Sequence, residues 1–410
     1  MEVTKKSAAE LMKLENKYGA HNYHPLPVVL SEGKGVYVWD TDKKRYYDFL
    51  SAYSAVNQGH GHPKIVDALI RQSTRLSLTS RAFYNDRLGE YEAYITNYFG
   101  YEKVLPMNTG AEAVETALKL CRKWGYERKG IPADQAKIVV CEQNFHGRTT
   151  TIVSFSTDPD AYTNYGPRTP GFITIPYNDS TALKKVLEED PTIAGFLVEP
   201  IQGEAGARVP DEGYLSTCAT LCKKHNVLFI ADEVQTGLAR TGKLLACDHE
   251  NVRPDVLILG KALSGGVYPV SAVLADSIYM DVFQPGQHGS TFGGNPVAAA
   301  VAIAALEVIQ KEKLAENATE MGAYFRQEMT QLCKESPVAS SVRGKGLLNA
   351  LIINNQDNKN LAWDICIQLA ENGLLAKPTH TNIIRFAPPL VITRPQMDEC
   401  IAIIRKVILD

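Results

Sequence analysis

Residues 227–232 read Val-Leu-Phe-Ile-Ala-Asp, and residues 255–261 read Asp-Val-Leu-Ile-Leu-Gly-Lys. Within them, Val227–Ala231 and Val256–Leu259 are short apolar runs rich in Val, Ile, Leu and Phe, which is typical of strands buried on both faces in a covered parallel sheet. An ionisable residue follows each run closely, Asp232 in the first stretch and Lys261 in the second. Since most lysines are exposed, Lys261 taken alone is also compatible with a surface position.

The same pattern continues along the chain. Further apolar runs lie at Lys137–Cys141 and Gly195–Glu199, and helical stretches such as Ala111–Trp124 and Tyr214–His225 lie between the runs. Strands that alternate with helices predict an α/β domain with a mainly parallel central sheet.

The two ends of the chain differ from this pattern. Near the N-terminus, Gly35–Trp39 and Arg45–Asp48 predict a hairpin across Thr41–Lys44. The C-terminal part predicts a smaller α+β domain, formed by a helix at Pro296–Gln310, a second amphipathic helix, Gly344–Ile353, a helix around Trp363–Asn372, a short strand at Ile383–Phe386 and a last helix from Arg394. We therefore predict an N-terminal segment at 1–55 that packs with the small domain, a large α/β domain at 56–295 and the small domain at 296–410.

The composition is that of a globular enzyme. The chain has 410 residues, 45% hydrophobic and 22% charged, and a formal net charge of −3. This length predicts more than one core, and the charge gives no reason to expect nucleic acid or an anionic membrane as a partner. No apolar run reaches the roughly 20 residues that span a bilayer. The start, Met1 to Glu15, has acidic residues and no apolar signal region, so we expect a cytoplasmic protein, or a mitochondrial matrix protein if a targeting segment has been removed.

Possible metal ligands have a simpler interpretation. Cys218 and Cys222 stand four residues apart with only His225 nearby, and eight scattered cysteines indicate buried thiols. His60 and His62 have no acidic or cysteine partner at ligand spacing and are interpreted as a turn before the next helix. No metal site is expected.

Polar residues follow the apolar runs at the point where each strand ends. Because the carboxyl ends of parallel strands meet at one edge of the sheet, these residues are expected to converge. They are Asn144-Phe145-His146-Gly147-Arg148, Glu199-Pro200, Asp232-Glu233-Val234-Gln235 and Gly260-Lys261. A lysine that can form a Schiff base and a carboxylate that can hold a pyridinium nitrogen are the two protein groups that pyridoxal 5'-phosphate (PLP) most needs.

Two loops of small residues are candidates for binding a phosphate. Thr109-Gly110-Ala111 opens the helix that continues to Trp124, where free backbone N–H groups and the helix dipole favour an anion. Such sequences also cap ordinary helices. Ser290-Thr291 lies in a second loop before Pro296 and could reach the same phosphate from a neighbouring subunit.

Taken together, these motifs resemble class III aminotransferases, which are PLP enzymes of fold type I. The resemblance runs through Thr109–Ala113, Phe145–Arg148, Asp232–Gly237 and Gly260–Ala262. Longer segments, at 18–25, 51–60 and 343–348, are most similar to the ornithine δ-aminotransferase branch of the class, over nearly the whole chain.

The resemblance implies roles for the cofactor site. Lys261 would bind PLP covalently and then move a proton as the catalytic base, and Asp232 would hold the pyridine nitrogen protonated. The remaining contacts to PLP would come from Gln235 on the phenolic oxygen, Phe145 and Val234 on the two ring faces, Gly110 and Ala111 on the phosphate, and Ser290 and Thr291 on the phosphate across a homodimer interface. Phe145 and Val234 could equally be core residues.

The resemblance also implies how L-ornithine and 2-oxoglutarate would bind. Arg148 would grip the α-carboxylate of ornithine in bidentate fashion, with Tyr23 beside the α-amino group and Tyr53 shaping the pocket. Arg385 would take a carboxylate of 2-oxoglutarate and would pair with Glu204 while ornithine reacts. We expect an exposed pair of about 0–1 kcal/mol, weak enough to open; a static ion pair is the alternative.

Two other functions remain open at this point. One is another ω-aminotransferase, acting on acetylornithine, 4-aminobutyrate or lysine. The other is a catalytically silent protein of the PLP fold that serves as a binding partner, although Lys261, Asp232 and Gln235 are all present.

Overall fold

The computed structural model describes residues 6–355 and 358–410, so the first five residues of the predicted N-terminal segment lie outside it. The strands, in chain order, are β1 Leu30–Lys34, β2 Tyr37–Asp40, β3 Arg45–Asp48, β4 Lys103–Met107, β5 Lys137–Cys141, β6 Phe172–Ile175, β7 Ile193–Val198, β8 Leu228–Asp232, β9 Val256–Leu259, β10 Ser271–Ala275, β11 Ala339–Lys345, β12 Leu348–Ile353, β13 Leu374–Leu375, β14 Lys377–Thr379 and β15 Ile383–Phe386.

The helices lie between these strands and at both ends of the chain. They are α1 Ala8–Tyr18, α2 Ser51–Ser54, α3 Pro63–Ser73, α4 Leu88–Phe99, α5 Gly110–Trp124, α6 Thr150–Val153, α7 Pro159–Tyr162, α8 Ser180–Glu189, α9 Tyr214–Lys224, α10 Ser277–Met280, α11 Pro296–Lys311, α12 Leu314–Glu335, α13 Leu361–Glu371 and α14 Arg394–Leu409. A π-helical turn at Gly125–Lys129 and 3₁₀ turns at Ala246–Glu250 and Lys261–Ser264 complete the set.

The large sheet has the order β4-β10-β9-β8-β7-β5-β6. Strands β6, β5, β7, β8 and β9 pair in parallel, and β10 alone runs antiparallel to its neighbours β9 and β4. Strands β7, β8 and β9 are buried at every residue because helices cover both faces of the sheet. The predicted α/β domain with a mainly parallel sheet is confirmed.

Two smaller sheets flank the large one. Strands β11, β12, β15 and β14 form an antiparallel sheet in that order, and β1, β2 and β3 form a meander that contains the predicted hairpin. Strand β13, from the C-terminal part, pairs in parallel with β3 at the edge of the meander. The N-terminal and C-terminal parts therefore share one sheet, while the domain limits at 55 and 295 stay a prediction.

The cysteines and the paired histidines have structural surroundings. Seven of the eight thiols are buried, and Cys333 is half-buried. His60 bonds Asp48 at 2.7 Å, and His62 bonds Glu312 at 3.0 Å just before α3 begins. Within residues 6–355 and 358–410, no group of three or more His, Cys, Asp or Glu is arranged to hold a metal. No helix in the same residues has the length and apolar character needed to cross a bilayer.

Candidate active site

Lys261 follows β9 at the carboxyl edge of the large sheet and begins a 3₁₀ turn. Its backbone φ is +45°, in the left-handed region that side chains other than glycine rarely adopt. The preceding Gly260 packs against Val234, since a Cβ on Gly260 would lie 3.2 Å from Val234 Cγ1. A strained residue at the mouth of a cleft is typical of an active site, because neighbouring contacts must hold it there.

The surroundings of Lys261 favour the neutral amine. Burial lowers the pKa of Lys261 to about 8, and the charge of Arg385 acts in the same direction. Glu204, Asp232 and Glu199 oppose this shift without cancelling it. A lysine with a depressed pKa is prepared to act as a nucleophile or a base near neutral pH.

Asp232 is the last residue of β8, and its carboxylate is buried at 5% exposure. Its Oδ2 lies 2.6 Å from Nδ1 of His146, and its Oδ1 accepts from the backbone N–H of Val234 at 3.1 Å. Burial lowers the pKa of His146, but the hydrogen bond and charge of Asp232 outweigh it, so that the net shift is upward. The hydrogen bond to His146 therefore fixes the Asp232 carboxylate at the end of β8, where it lines the cavity.

Two more buried carboxylates stand close to Asp232. Glu199 accepts from the backbone N–H of Phe145 at 2.9 Å, and burial raises its pKa to about 7. Glu233 accepts from Thr236 and from the backbone N–H of Cys247, and burial raises its pKa to about 6. Of the neighbours Asp232 and Glu233, only Asp232 lines the cavity with Lys261, because alternate side chains of a strand point to opposite faces.

The start of helix α5 closes one side of this cavity. Thr109 caps the helix by accepting from the N–H of Glu112, whose own carboxylate accepts from the N–H of Thr109. Gly110 lies so close to Val234 that a Cβ would stand 2.9 Å from Val234 Cγ1. The absence of a side chain at Gly110 leaves the first N–H groups of the helix facing the cavity, where an anion is favoured.

The cavity brings together many of the residues predicted to converge, although Asn144, Arg148, Pro200, Glu233 and Gly260 do not line it. Its lining comprises Gly110, Ala111, Phe145, His146, Gly147, Glu199, Asp232, Val234, Gln235, Thr236 and Lys261. His146 and Glu199 were among the residues expected at this edge, but neither was assigned a role toward the cofactor or the substrates.

Arg385, on β15, reaches the site from the small antiparallel sheet. Its Nη1 donates to Glu204 Oε1 at 2.7 Å and to Gln235 Oε1 at 3.2 Å, and Gln235 Nε2 donates to the same Glu204 oxygen at 3.0 Å. Arg385 is only 3% exposed, so the expectation of an exposed, weak ion pair was wrong. Since removing one partner would leave a buried charge uncompensated, the pair needs a replacement anion before it can open.

Tyr53 stands over Arg385, with its ring centre 4.7 Å from the guanidinium carbon. It belongs to α2, Ser51–Ser54, in which all four residues have φ between 47° and 73°. Such a left-handed turn without glycine is strained. The carboxylate of Asp48 accepts from the backbone N–H groups of Leu50 and Ser51 at 2.9 and 2.8 Å and so supports the entry to the turn.

The other predicted residues lie outside the cavity in the single chain. Tyr23 is 73% exposed, although its hydroxyl is near enough to Tyr53 to help raise the pKa of that phenol, a shift caused mainly by burial. Arg148 is exposed, with its guanidinium 5.6 Å from the ring centre of Phe145. Ser290 accepts from Asn108 at 2.9 Å, beside the start of α5, and Thr291 is exposed.

The residues present fit PLP as a cofactor. The cavity contains a buried amine with a depressed pKa, a carboxylate hydrogen-bonded to a histidine, and the start of a helix at which Gly110 has no side chain. Lys261 would hold the aldehyde carbon, Asp232 the ring nitrogen, and the start of α5 the phosphate.

The fold and this site define a PLP-dependent aminotransferase, and the chain belongs to the class III aminotransferases: the family model "Aminotransferase class-III" matches residues 18–408. PLP is the cofactor of this class.

Individual relatives cover nearly the whole chain. A protein named mitochondrial ornithine aminotransferase from Drosophila melanogaster is 64% identical over 396 residues, which are 97% of this chain and 90% of the relative. A structure described as acetylornithine aminotransferase from Elizabethkingia anophelis is 66% identical with a TM-score of 0.92, and covers 98% and 99% of the two chains. The ornithine aminotransferase of Toxoplasma gondii, described with partial PLP occupancy at its active site, is 49% identical with a TM-score of 0.97, and covers 99% and 95%.

Proposed function

We propose that this aminotransferase is an ornithine δ-aminotransferase, which transfers the terminal amino group of L-ornithine to 2-oxoglutarate. The products are L-glutamate 5-semialdehyde, which cyclises to pyrroline-5-carboxylate, and L-glutamate. The observation that carries the proposal is the closed Glu204–Arg385 pair together with the exposed Arg148, whose guanidinium lies against Phe145 of the cavity wall. The protein's own carboxylate thus neutralises Arg385, while Arg148 is available to a substrate carboxylate.

The residues around Lys261 supply what transamination requires. When bound, PLP provides an electron-accepting ring and a carbon that carries the amino group between the two substrates. The Lys261 amine, whose pKa burial lowers to about 8, would take a proton from the substrate carbon and return it to the cofactor carbon. Asp232, held by His146, would keep the ring nitrogen protonated. The start of helix α5 and the other residues that line the cavity would hold the cofactor in place.

Regiospecificity follows from which carboxylate meets which arginine. Arg148 would bind the α-carboxylate of ornithine, with Tyr23 beside its α-amino group, so that only the terminal amine reaches Lys261. Glu204 would keep Arg385 from binding that carboxylate. 2-Oxoglutarate has two carboxylates and would occupy Arg148 and Arg385 together, which supplies the anion that Arg385 needs when Glu204 turns away.

A second candidate is transfer from N-acetylornithine, favoured by the 66% identity to a structure described as acetylornithine aminotransferase. The two donors share a carboxylate and a terminal amine, and they differ in the charge of the α-nitrogen. Tyr23 and Tyr53 are the residues proposed to distinguish them, because their hydroxyls can accept from an ammonium group.

Parallel assays of four amine donors test the proposal. Purified enzyme with PLP and 2-oxoglutarate is incubated with L-ornithine, N-acetylornithine, 4-aminobutyrate or L-lysine, and glutamate is measured while the cyclic imine is trapped with an aromatic amino-aldehyde. Ornithine should give the highest kcat/KM and the trapped ring. Faster turnover of N-acetylornithine would establish the second candidate, and no glutamate from any donor would support a silent binding protein.

The active enzyme is proposed to be a homodimer in which Ser290 and Thr291 reach the phosphate of the partner's PLP. The support is that neither residue lines the cavity of its own chain and that Thr291 is exposed. Light scattering during turnover is the test, and an active monomer would refute the proposed dimer.

We also propose a cytoplasmic location. Fractionation of the source cells is the test, and recovery of the protein in the mitochondrial fraction would refute this location.

A further inference from the structure

The loop Gly203-Glu204-Ala205-Gly206, called here the 203–206 loop, follows β7 of the large sheet but is held by the small antiparallel sheet. All four of its carbonyls accept hydrogen bonds from side chains of that sheet. Arg385 Nη1 donates to Gly203 O at 3.4 Å, and Thr379 Oγ1 donates to Glu204 O at 3.0 Å. The guanidinium of Arg343 donates through Nη2 to Ala205 O at 2.8 Å and through Nε to Gly206 O at 2.7 Å.

Glycine at both ends of the loop allows close packing, against Gln235 at Gly203 and against the small sheet at Gly206. A Cβ on Gly203 would lie 2.0 Å from Oε1 of Gln235, and a Cβ on Gly206 would lie 2.9 Å from Nη2 of Arg343. Gly206 also has φ +86°, where a side chain would strain the backbone. The loop is therefore fitted against the sheet through its main chain, and the carboxylate of Glu204 remains for contact with the site.

Both partners of the Glu204–Arg385 pair are thus hydrogen-bonded to, or carried by, the same small sheet. Arg385 lies on β15, which pairs with β14, the strand of Thr379, and with β12, which in turn pairs with the strand of Arg343. The hydrogen bonds from this sheet therefore set where the Glu204 backbone lies relative to Arg385. With the backbone held in this way, rotation of the Glu204 side chain is the movement that would open the pair.

We propose that Arg343 and Thr379 are positioning residues that hold Glu204 over Arg385 while an amine donor binds, and so determine which substrate carboxylate reaches Arg385. This rests on the proposed function in one respect, namely that the enzyme alternates between a donor with one carboxylate and an acceptor with two. Neither residue touches the reacting atoms in this assignment.

Matched substitutions at Thr379 separate positioning from packing. Thr379→Val removes the hydroxyl donor and keeps the shape, whereas Thr379→Ser keeps the donor. Arg343→Lys retains the positive charge but replaces the bidentate guanidinium donor by a single ammonium group. The PLP-loaded proteins are compared in two single-turnover half-reactions followed by cofactor absorbance, one with L-ornithine and one with 2-oxoglutarate. Binding of glutarate, a dicarboxylate that cannot react, is measured separately.

The substitutions are expected to weaken the binding of the amine donor and to strengthen the binding of a dicarboxylate. Thr379→Val and Arg343→Lys should raise the KM for ornithine about three- to tenfold, the change expected from losing one net hydrogen bond. They should also increase the share of α-transamination product. Glutarate should bind more tightly by a similar factor, because Glu204 competes less well for Arg385. Thr379→Ser should match the wild type in all three measurements.

Equal losses in both half-reactions would show a purely structural role and overturn the inference, as would unchanged glutarate binding in Thr379→Val. A wild-type enzyme that reacts with another ω-amine and not with ornithine would refute the proposed substrate alone. The same three measurements would then be made with that amine. They would support the inference if the substitutions affect the two half-reactions in opposite directions, and would overturn it if they do not.

Discussion

The pH at which Lys261 becomes reactive in the cofactor-free chain tests the electrostatics of the site. An amine attacks a carbonyl or an anhydride only in its neutral form, and burial lowers the pKa of Lys261 from 10.5 to about 8. At pH 7 about one amine in ten is then neutral, against about one in three thousand at the ordinary pKa. The structure therefore predicts roughly a 300-fold larger neutral fraction at pH 7 than for an unperturbed lysine, and hence a higher reactivity at equal access.

Glu204→Gln perturbs this balance with little change of shape. Glu204 is the carboxylate that most strongly opposes the shift, by raising the pKa of Lys261. Its removal should move the midpoint below that of the wild type, so that Lys261 reacts faster at pH 7. Above the wild-type midpoint both proteins are largely neutral at this amine, and their rates should converge.

Competitive labelling provides the assay. The protein without PLP is pulsed with trace acetic anhydride between pH 6 and pH 10, and mass spectrometry compares Lys261 with the exposed Lys185 of the same sample to correct for reagent decay. A plateau with a midpoint near 8 is expected, and a lower midpoint in Glu204→Gln. A wild-type midpoint near 10, or an upward shift in Glu204→Gln, would refute the reasoning.

Three further predictions concern the cofactor site. Lys261→Ala should abolish transamination while PLP still binds noncovalently, as absorbance and turnover would show; near wild-type turnover would contradict its role. His146→Phe should weaken PLP binding at least about tenfold by removing a charge-assisted hydrogen bond of about 1.5–3 kcal/mol to Asp232, whereas His146→Asn keeps a donor and should lose less; equal affinities by equilibrium dialysis would exclude the pairing. Gly110→Ala should weaken PLP binding through its clash with Val234, and adding Val234→Ala should restore part of the loss.

The sequence predicted best those parts of the fold whose residues are buried on both sides. Strands β5 and β9 have the predicted limits, because a continuous apolar run has no other stable place. Strands β4 and β6 were missed since they are the edges of the sheet and are partly exposed. Strand β10 was missed although it is fully buried, because its Ser and Ala residues give no strong strand pattern.

The same contrast holds within the site. Residues at the carboxyl ends of parallel strands, such as Asp232 and Lys261, could be brought together from topology alone. The burial of Arg385 could not, since it depends on a sheet formed far along the chain. Likewise, nothing in Ser51-Ala52-Tyr53-Ser54 signals a left-handed turn, because no glycine or asparagine marks it.

This division has a physical consequence for how the enzyme selects substrates. The groups expected to handle PLP sit on the large sheet, whereas Tyr53 and Arg385 enter from the N-terminal segment and the small sheet. Holding Tyr53 in a left-handed turn costs on the order of 1–3 kcal/mol per strained residue, and the turn is kept in place by Asp48 at its entry and by the hydrogen bond from Ala387 N–H to Phe49 O at 2.7 Å. That bond joins the turn to the end of the strand that carries Arg385. Substrate selection can therefore change through these two elements together, while Asp232 and Lys261 keep their geometry.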